Sequence, residues 1–222
     1  MSIWLAFALV FAFLQAIAVS RNLQRLEYTA KPAVMVFLFL WLYTSTGLQG
    51  SSLWFGLGIL FSLVGDVLLM ISPDRTFLFG LVAFLIAHLF YITGFREELT
   101  TFHAWSLILV IVITLTVGAL IRRIVRAMRA NRKNKLVGPV ILYGTVISVM
   151  LYAAMSTIDD PAWKTSAAFS VGIGAFLFCA SDAILAWNRF VFPIQNGRVW
   201  NIVLYHLGQI GLIAGVISQF RW

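Results

Sequence analysis

The 222-residue chain is 61% hydrophobic and only 11% charged, with a mean hydropathy of +0.95, whereas a soluble domain is about half apolar and about a quarter charged. That balance excludes a water-soluble globular protein and predicts an all-α, polytopic integral membrane protein. The net charge of +8 does not indicate nucleic acid, because seven of the sixteen cations lie in one run, Arg122 to Lys135, between hydrophobic segments, where they orient a chain in the bilayer.

About 20 apolar residues cross a bilayer. On that ruler eight spans follow in chain order: about 2–19, 33–48, 53–71, 77–95, 104–121, 138–156, 165–187 and 199–219. The N-terminus, Met1-Ser2-Ile3-Trp4, lacks the basic start of a signal peptide and reads as a retained first span. Lys31 stands at the mouth of span two beside Pro32, which suits the first turn of a helix. Span three holds Asp66 in the run Ser62-Leu63-Val64-Gly65-Asp66-Val67-Leu68, and span four holds His88 and Tyr91. The loop that follows, with Arg96-Glu97-Glu98 and His103, reads as solvated. Tyr143 of span six reads as a packing or interface residue, and Asp159-Asp160-Pro161 as a turn. Span seven carries Ser181-Asp182, and Cys179 there is a small packing residue; a lone cysteine rules out an internal disulfide. Span eight carries Tyr205, His206 and Gln209. Linkers and low-complexity tracts are absent, so residues 1–222 read as a single eight-helix transmembrane domain.

Thirteen of the sixteen cations fall in the loops on one side of such a bundle. The positive-inside rule then places both termini outside the cytoplasm, in a bacterial cytoplasmic (inner) membrane. The halves also resemble each other. Asp66 precedes His88 by 22 residues and Asp182 precedes His206 by 24, four helices later, which suggests a 4+4 parallel internal repeat.

A carboxylate within hydrocarbon costs about 2.5–3.5 kcal/mol on insertion scales, so such residues face polar cavities and carry function. Asp66 lies five residues from the inner end of its span, roughly 8 Å deep, and Asp182 at a similar depth. His88 and Tyr91 are spaced i, i+3, as are His206 and Gln209, and Tyr205 and Gln209 are i, i+4, so each set shares a face. Most of these groups fall in the cytoplasmic half, where a cavity is expected. The bland alternative is that each Asp is structural, paired with Lys31 or held by hydroxyls.

No Gly-x-Ser-x-Gly elbow, phosphate loop or dinucleotide fingerprint occurs. A zinc site needs about three protein ligands, and would have to draw on His88, His206 and both Asp residues; no metal or cofactor is expected. What remains is a carboxylate pair in which one member donates a proton while the other stays ionised, a division that suits acid cleavage of a labile ether through an oxocarbenium ion.

Lys31-Pro32, Gly65-Asp66, Ala87-His88-x-x-Tyr91, Ser181-Asp182 and Tyr205-His206-x-x-Gln209 together resemble the YhhN-like transmembrane family, over about residues 5–217. That family includes lysoplasmalogenases, which hydrolyse the vinyl ether of lysoplasmalogens to a fatty aldehyde and glycerophospho-ethanolamine or -choline. The resemblance implies an eight-span hydrolase with Asp66 and Asp182 as the catalytic acids. Lys31, His88, Tyr91, Tyr205, His206 and Gln209 are the substrate-binding candidates, for a lysophospholipid met in the membrane. Two other classes stay open: a non-enzymatic carrier or lipid-binding protein using the same cavity, and a metal-dependent lipid hydrolase.

Overall fold

The computed structural model describes residues 2–71, 75–96 and 104–221, with backbone alone for 104 and 105. Glu97, Glu98 and His103 lie outside the described residues. Among the described residues there is no strand. Among the described residues eight α-helices follow one another: α1 Ile3–Ser20, α2 Gln24–Thr46, α3 Ser52–Ile71, α4 Phe77–Arg96, α5 Ala104–Ala130, α6 Val137–Ser156, α7 Thr165–Phe190 and α8 Gly197–Phe220. Seven of them have both the length and the composition to cross a membrane. The eighth, α2, is long enough at 23 residues, but its first turns carry Arg25, Glu27 and Lys31. The outer surfaces suit hydrocarbon. Leu107, Ile111 and Leu115 of α5 and Phe13 of α1 are more than half exposed, a display that water would penalise and lipid does not.

Several helices outrun the apolar stretches that announce them. The α2 helix begins at Gln24, so Lys31 and Pro32 lie inside it rather than in its first turn. Similarly, α5 continues to Ala130 through Arg122, Arg123, Arg126 and Arg129, and α7 runs on to Phe190. Hydropathy measures the thickness of hydrocarbon; a helix persists beyond it as long as its backbone bonds can propagate. The ends of α1 and α5 close alike. Asn22 and Arg132 adopt left-handed φ of 53° and 56°. Each is followed by a 6→1 bond, Leu23 N–H to Ala18 O at 2.8 Å and Lys133 N–H to Met128 O at 2.9 Å, the Schellman closure of a helix end.

The helices pair closely, α3 on α4 and α7 on α8, through missing side chains. A Cβ on Gly174 would stand 2.4 Å from the Leu212 backbone nitrogen, and one on Gly208 would stand 2.8 Å from that of Phe178. Backbone therefore touches backbone along the α7–α8 seam, the small-residue packing that membrane helices use in place of a hydrophobic drive. Ser170 Oγ adds a hydrogen bond to Gly211 O across it, 2.8 Å. At the far end of the seam Lys164 Nζ donates to Ser218 O (2.8 Å) and Gln219 O (3.1 Å), capping the last turn of α8.

The 4+4 repeat is not confirmed by this arrangement. Although the α3–α4 and α7–α8 pairs match, His88 of α4 meets a tyrosine of α6, while His206 of α8 meets Gln15 of α1. Gly174→Ala should cost about 1–3 kcal/mol through overpacking against fixed backbone, lowering the thermal midpoint in detergent. Gly118→Ala, at a position with open space around it, should leave the midpoint unchanged.

Candidate active site

The bundle encloses a cavity of about 1050 Å³ that opens at the end where α2 and α8 begin and α3 and α7 finish. Both Asp66 and Asp182 line it. Arg25, Glu27 and Arg198, on the first turns of α2 and α8, stand at its mouth, and Phe84, Leu69 and Ile202 are among its apolar lining.

Asp66 is 1% exposed. Its Oδ1 lies 2.9 Å from Lys31 Nζ of α2, and its Oδ2 accepts a hydrogen bond from Tyr205 Oη of α8 at 2.7 Å. A buried carboxylate must be paired and hydrogen-bonded to be tolerated, and three helices meet to supply this. Tyr205 stands on edge against Phe84 and Phe178, which stand on edge against each other. This aromatic triangle packs the Tyr205 ring from two sides and so fixes the hydroxyl that Asp66 accepts from. Gly65 makes room for the triangle, because a Cβ there would be 2.6 Å from the Phe84 ring.

Asp182 lies in a different setting. It is 15% exposed, and its Oδ2 accepts a hydrogen bond from Tyr143 of α6. The Tyr143 oxygen is also 3.0 Å from Nε2 of the fully buried His88, which itself lies 3.9 Å from Asp182 Oδ2. Since Tyr143 has one proton and gives it to the carboxylate, its oxygen accepts from His88, which is then protonated at Nε2. The chain His88–Tyr143–Asp182 thus runs from the protein interior to the cavity wall. Beside Asp182, Ser181 Oγ donates to Asn201 O, and Asn201 Nδ2 donates back to Ser181 O at 2.9 Å, fixing α7 against α8.

Of the residues expected to bind substrate, Lys31 and Tyr205 line the cavity beside the two acids. His88 stands behind Asp182. Tyr91 donates to Gln209 Oε1 at 2.9 Å, both side chains fully buried behind the walls, with Gly58 providing the space for the Tyr91 ring. His206 does not join the acids, its Nε2 being engaged by Gln15. Reading the sequence missed Tyr143, Asn201, Glu27 and Arg198. Asn201 and Tyr205 are spaced i, i+4, and Arg198 and Asn201 i, i+3, so the face of α8 that lines the cavity was available as a signal. Tyr143 had none, since no polar residue near it in sequence shares its role. Among the described residues no three His, Cys, Asp or Glu side chains converge as a metal site would require.

Removing one member of the buried pair should be far costlier than removing both. Lys31→Met should destabilise by about 3–5 kcal/mol, while Lys31→Met with Asp66→Asn should recover most of that loss. Unfolding of the single and double variants in detergent, taken as a double-mutant cycle, measures the coupling.

The model of the YhhN family matches residues 26–216. Mouse (Mus musculus) lysoplasmalogenase TMEM86B is 31% identical over 190 residues, covering 85% of this chain and 74% of the relative. Human (Homo sapiens) lysoplasmalogenase TMEM86B is 27% identical over 184 residues, 81% of this chain and 69% of the relative. Human lysoplasmalogenase TMEM86A is 28% identical over 157 residues, 69% and 60% of the two chains. No solved structure matches. With a family match spanning 26–216 and relatives aligned over most of its length, the chain belongs to the YhhN family.

Proposed function

We propose that this chain is a lysoplasmalogenase: a membrane-embedded hydrolase that cleaves the vinyl ether of lysoplasmenyl-ethanolamine or -choline to a fatty aldehyde and the glycerophospho-headgroup. The observation that carries the reading is that two carboxylates from α3 and α7, differently partnered, line one cavity with a charged mouth and apolar walls. A lysolipid, with a charged headgroup and a hydrocarbon chain, presents both kinds of surface. The activity named for the mouse and human relatives supports the same assignment.

Asp182 is the proton donor. Tyr143 occupies its Oδ2, leaving Oδ1 to carry the proton, and partial exposure puts the group against the substrate. Transfer of that proton to the alkenyl carbon distant from oxygen turns the vinyl ether into an oxocarbenium ion, and the carboxylate left behind lowers the energy of the cation. Water adds to the carbon bonded to oxygen and gives its proton to a carboxylate, forming a hemiacetal. The hemiacetal then loses its hydroxyl proton while the glycerol oxygen gains one, so that the C–O bond breaks to aldehyde and alcohol. Asp66, held by Lys31 and Tyr205, is the fixed negative group that orients the water and accepts its proton. The reaction consumes one water and no other reactant.

The basic α5–α6 segment and Arg25, Arg189 and Arg198 stand at the cavity end of the bundle. Their position supports an orientation with that mouth in the cytoplasmic leaflet of a bacterial inner membrane and both termini on the other side.

Asp182→Asn, and Asp66→Asn combined with Lys31→Met so that no buried charge is left unpaired, should each lower aldehyde release from lysoplasmenyl-ethanolamine by about 10²–10⁴-fold without loss of fold. Tyr143→Phe, which keeps the ring and removes the hydroxyl, should lower kcat more than it raises KM. Near-normal turnover in both Asp variants would sink the mechanism, and no release by well-folded wild type would sink the activity.

A further inference from the structure

Resting on the reading of the cavity as a lipid site, we infer that the Glu27–Arg198 pair at its mouth is a headgroup subsite that selects phospho-ammonium zwitterions. Arg198 Nη2 lies 3.0 Å from both Glu27 oxygens, joining the first turns of α2 and α8. The two members differ in exposure: Glu27 is 12% exposed and Arg198 63%. A pair with so exposed a cation adds little to folding, so stability does not explain it.

Its position in the cavity does. Glu27 and Lys31 are spaced i, i+4 on α2, and Arg198, Ile202 and Tyr205 descend one face of α8. Both faces run from the mouth to Asp66. Seven residues, roughly 10 Å of helix axis, separate Arg198 from Tyr205, room for the glycerol backbone between a headgroup and a reacting ether. An ion pair can exchange partners with a zwitterion and stay neutral throughout. The phosphate takes the Arg198 guanidinium, in the forked geometry suited to phosphate, with Arg25 beside it at the rim. The ammonium takes the Glu27 carboxylate. A lysolipid with phosphate alone would satisfy Arg198 but leave Glu27 stripped of its counter-charge near a second anion.

The test is binding of two saturated alkyl-ether lysolipids of equal chain length to the full chain in detergent, one with phosphoethanolamine and one with phosphate alone. Neither has a vinyl group to protonate, so binding is read without turnover. Wild type should prefer the ethanolamine lipid. Glu27→Gln should weaken that lipid by about tenfold, the scale of one charged hydrogen bond, and leave the phosphate lipid as tight or tighter, whereas Arg198→Gln should weaken both. If Glu27→Gln does not fold, Glu27→Gln with Arg198→Gln, which leaves no unpaired charge, must lose the preference. Equal weakening of both lipids by Glu27→Gln, or no change in either, overturns the subsite. Aldehyde release by wild type, measured in parallel, separates the two readings: release with unchanged discrimination sinks the subsite alone, and altered discrimination without release sinks the hydrolase while keeping the subsite.

Discussion

The pairing of Lys31 with Asp66 inside the bundle constrains everything around it. An acid set into an apolar helix must find a cation and a hydrogen-bond donor, and here the donor is Tyr205. Satisfying one carboxylate therefore ties α2, α3 and α8 into a single register. Such a pair contributes little net stability compared with an apolar substitute, yet breaking it leaves a bare buried charge.

Close backbone contact transmits that register to the second acid. The glycine seam holds α7 so tightly on α8 that Asp182 and Tyr205 are placed relative to each other by main chain, with little freedom left to side chains. The aromatic triangle of Phe84, Phe178 and Tyr205 holds the Tyr205 ring in place beside Asp66. Two identical side chains thereby acquire distinct surroundings. One faces an ammonium and is almost wholly buried; the other faces a tyrosine and a histidine and is open to the cavity. Differentiated carboxylates of this kind are what acid–base chemistry on one site requires.

The cavity joins charged and apolar lining. Charged first turns of α2 and α8 converge at the mouth, and Phe84, Leu69 and Ile202 add apolar wall beside the two acids. The same helical extensions that hydropathy alone does not detect are thus what equip the opening with Arg25, Glu27 and Arg198. The proposed lipid chemistry and the proposed headgroup subsite both draw on this mixed lining.

Composition and hydropathy by themselves determined the membrane class and the eight helices, and they singled out Asp66 and Asp182, because burying charge in hydrocarbon is so costly that a few acids in apolar runs are conspicuous. Helical spacing also brought out Tyr205 and Gln209. Which residues answer those acids was decided only in three dimensions. Tyr143 lies 39 residues from Asp182, Tyr205 lies 139 from Asp66, and Glu27 lies 171 from Arg198. His206, next to a cavity residue in sequence, turns to Gln15 instead. Periodicity reports the face a residue takes on its own helix, but partners are set by how helices pack, and that depends on glycine contacts and ring shapes spread across the whole chain.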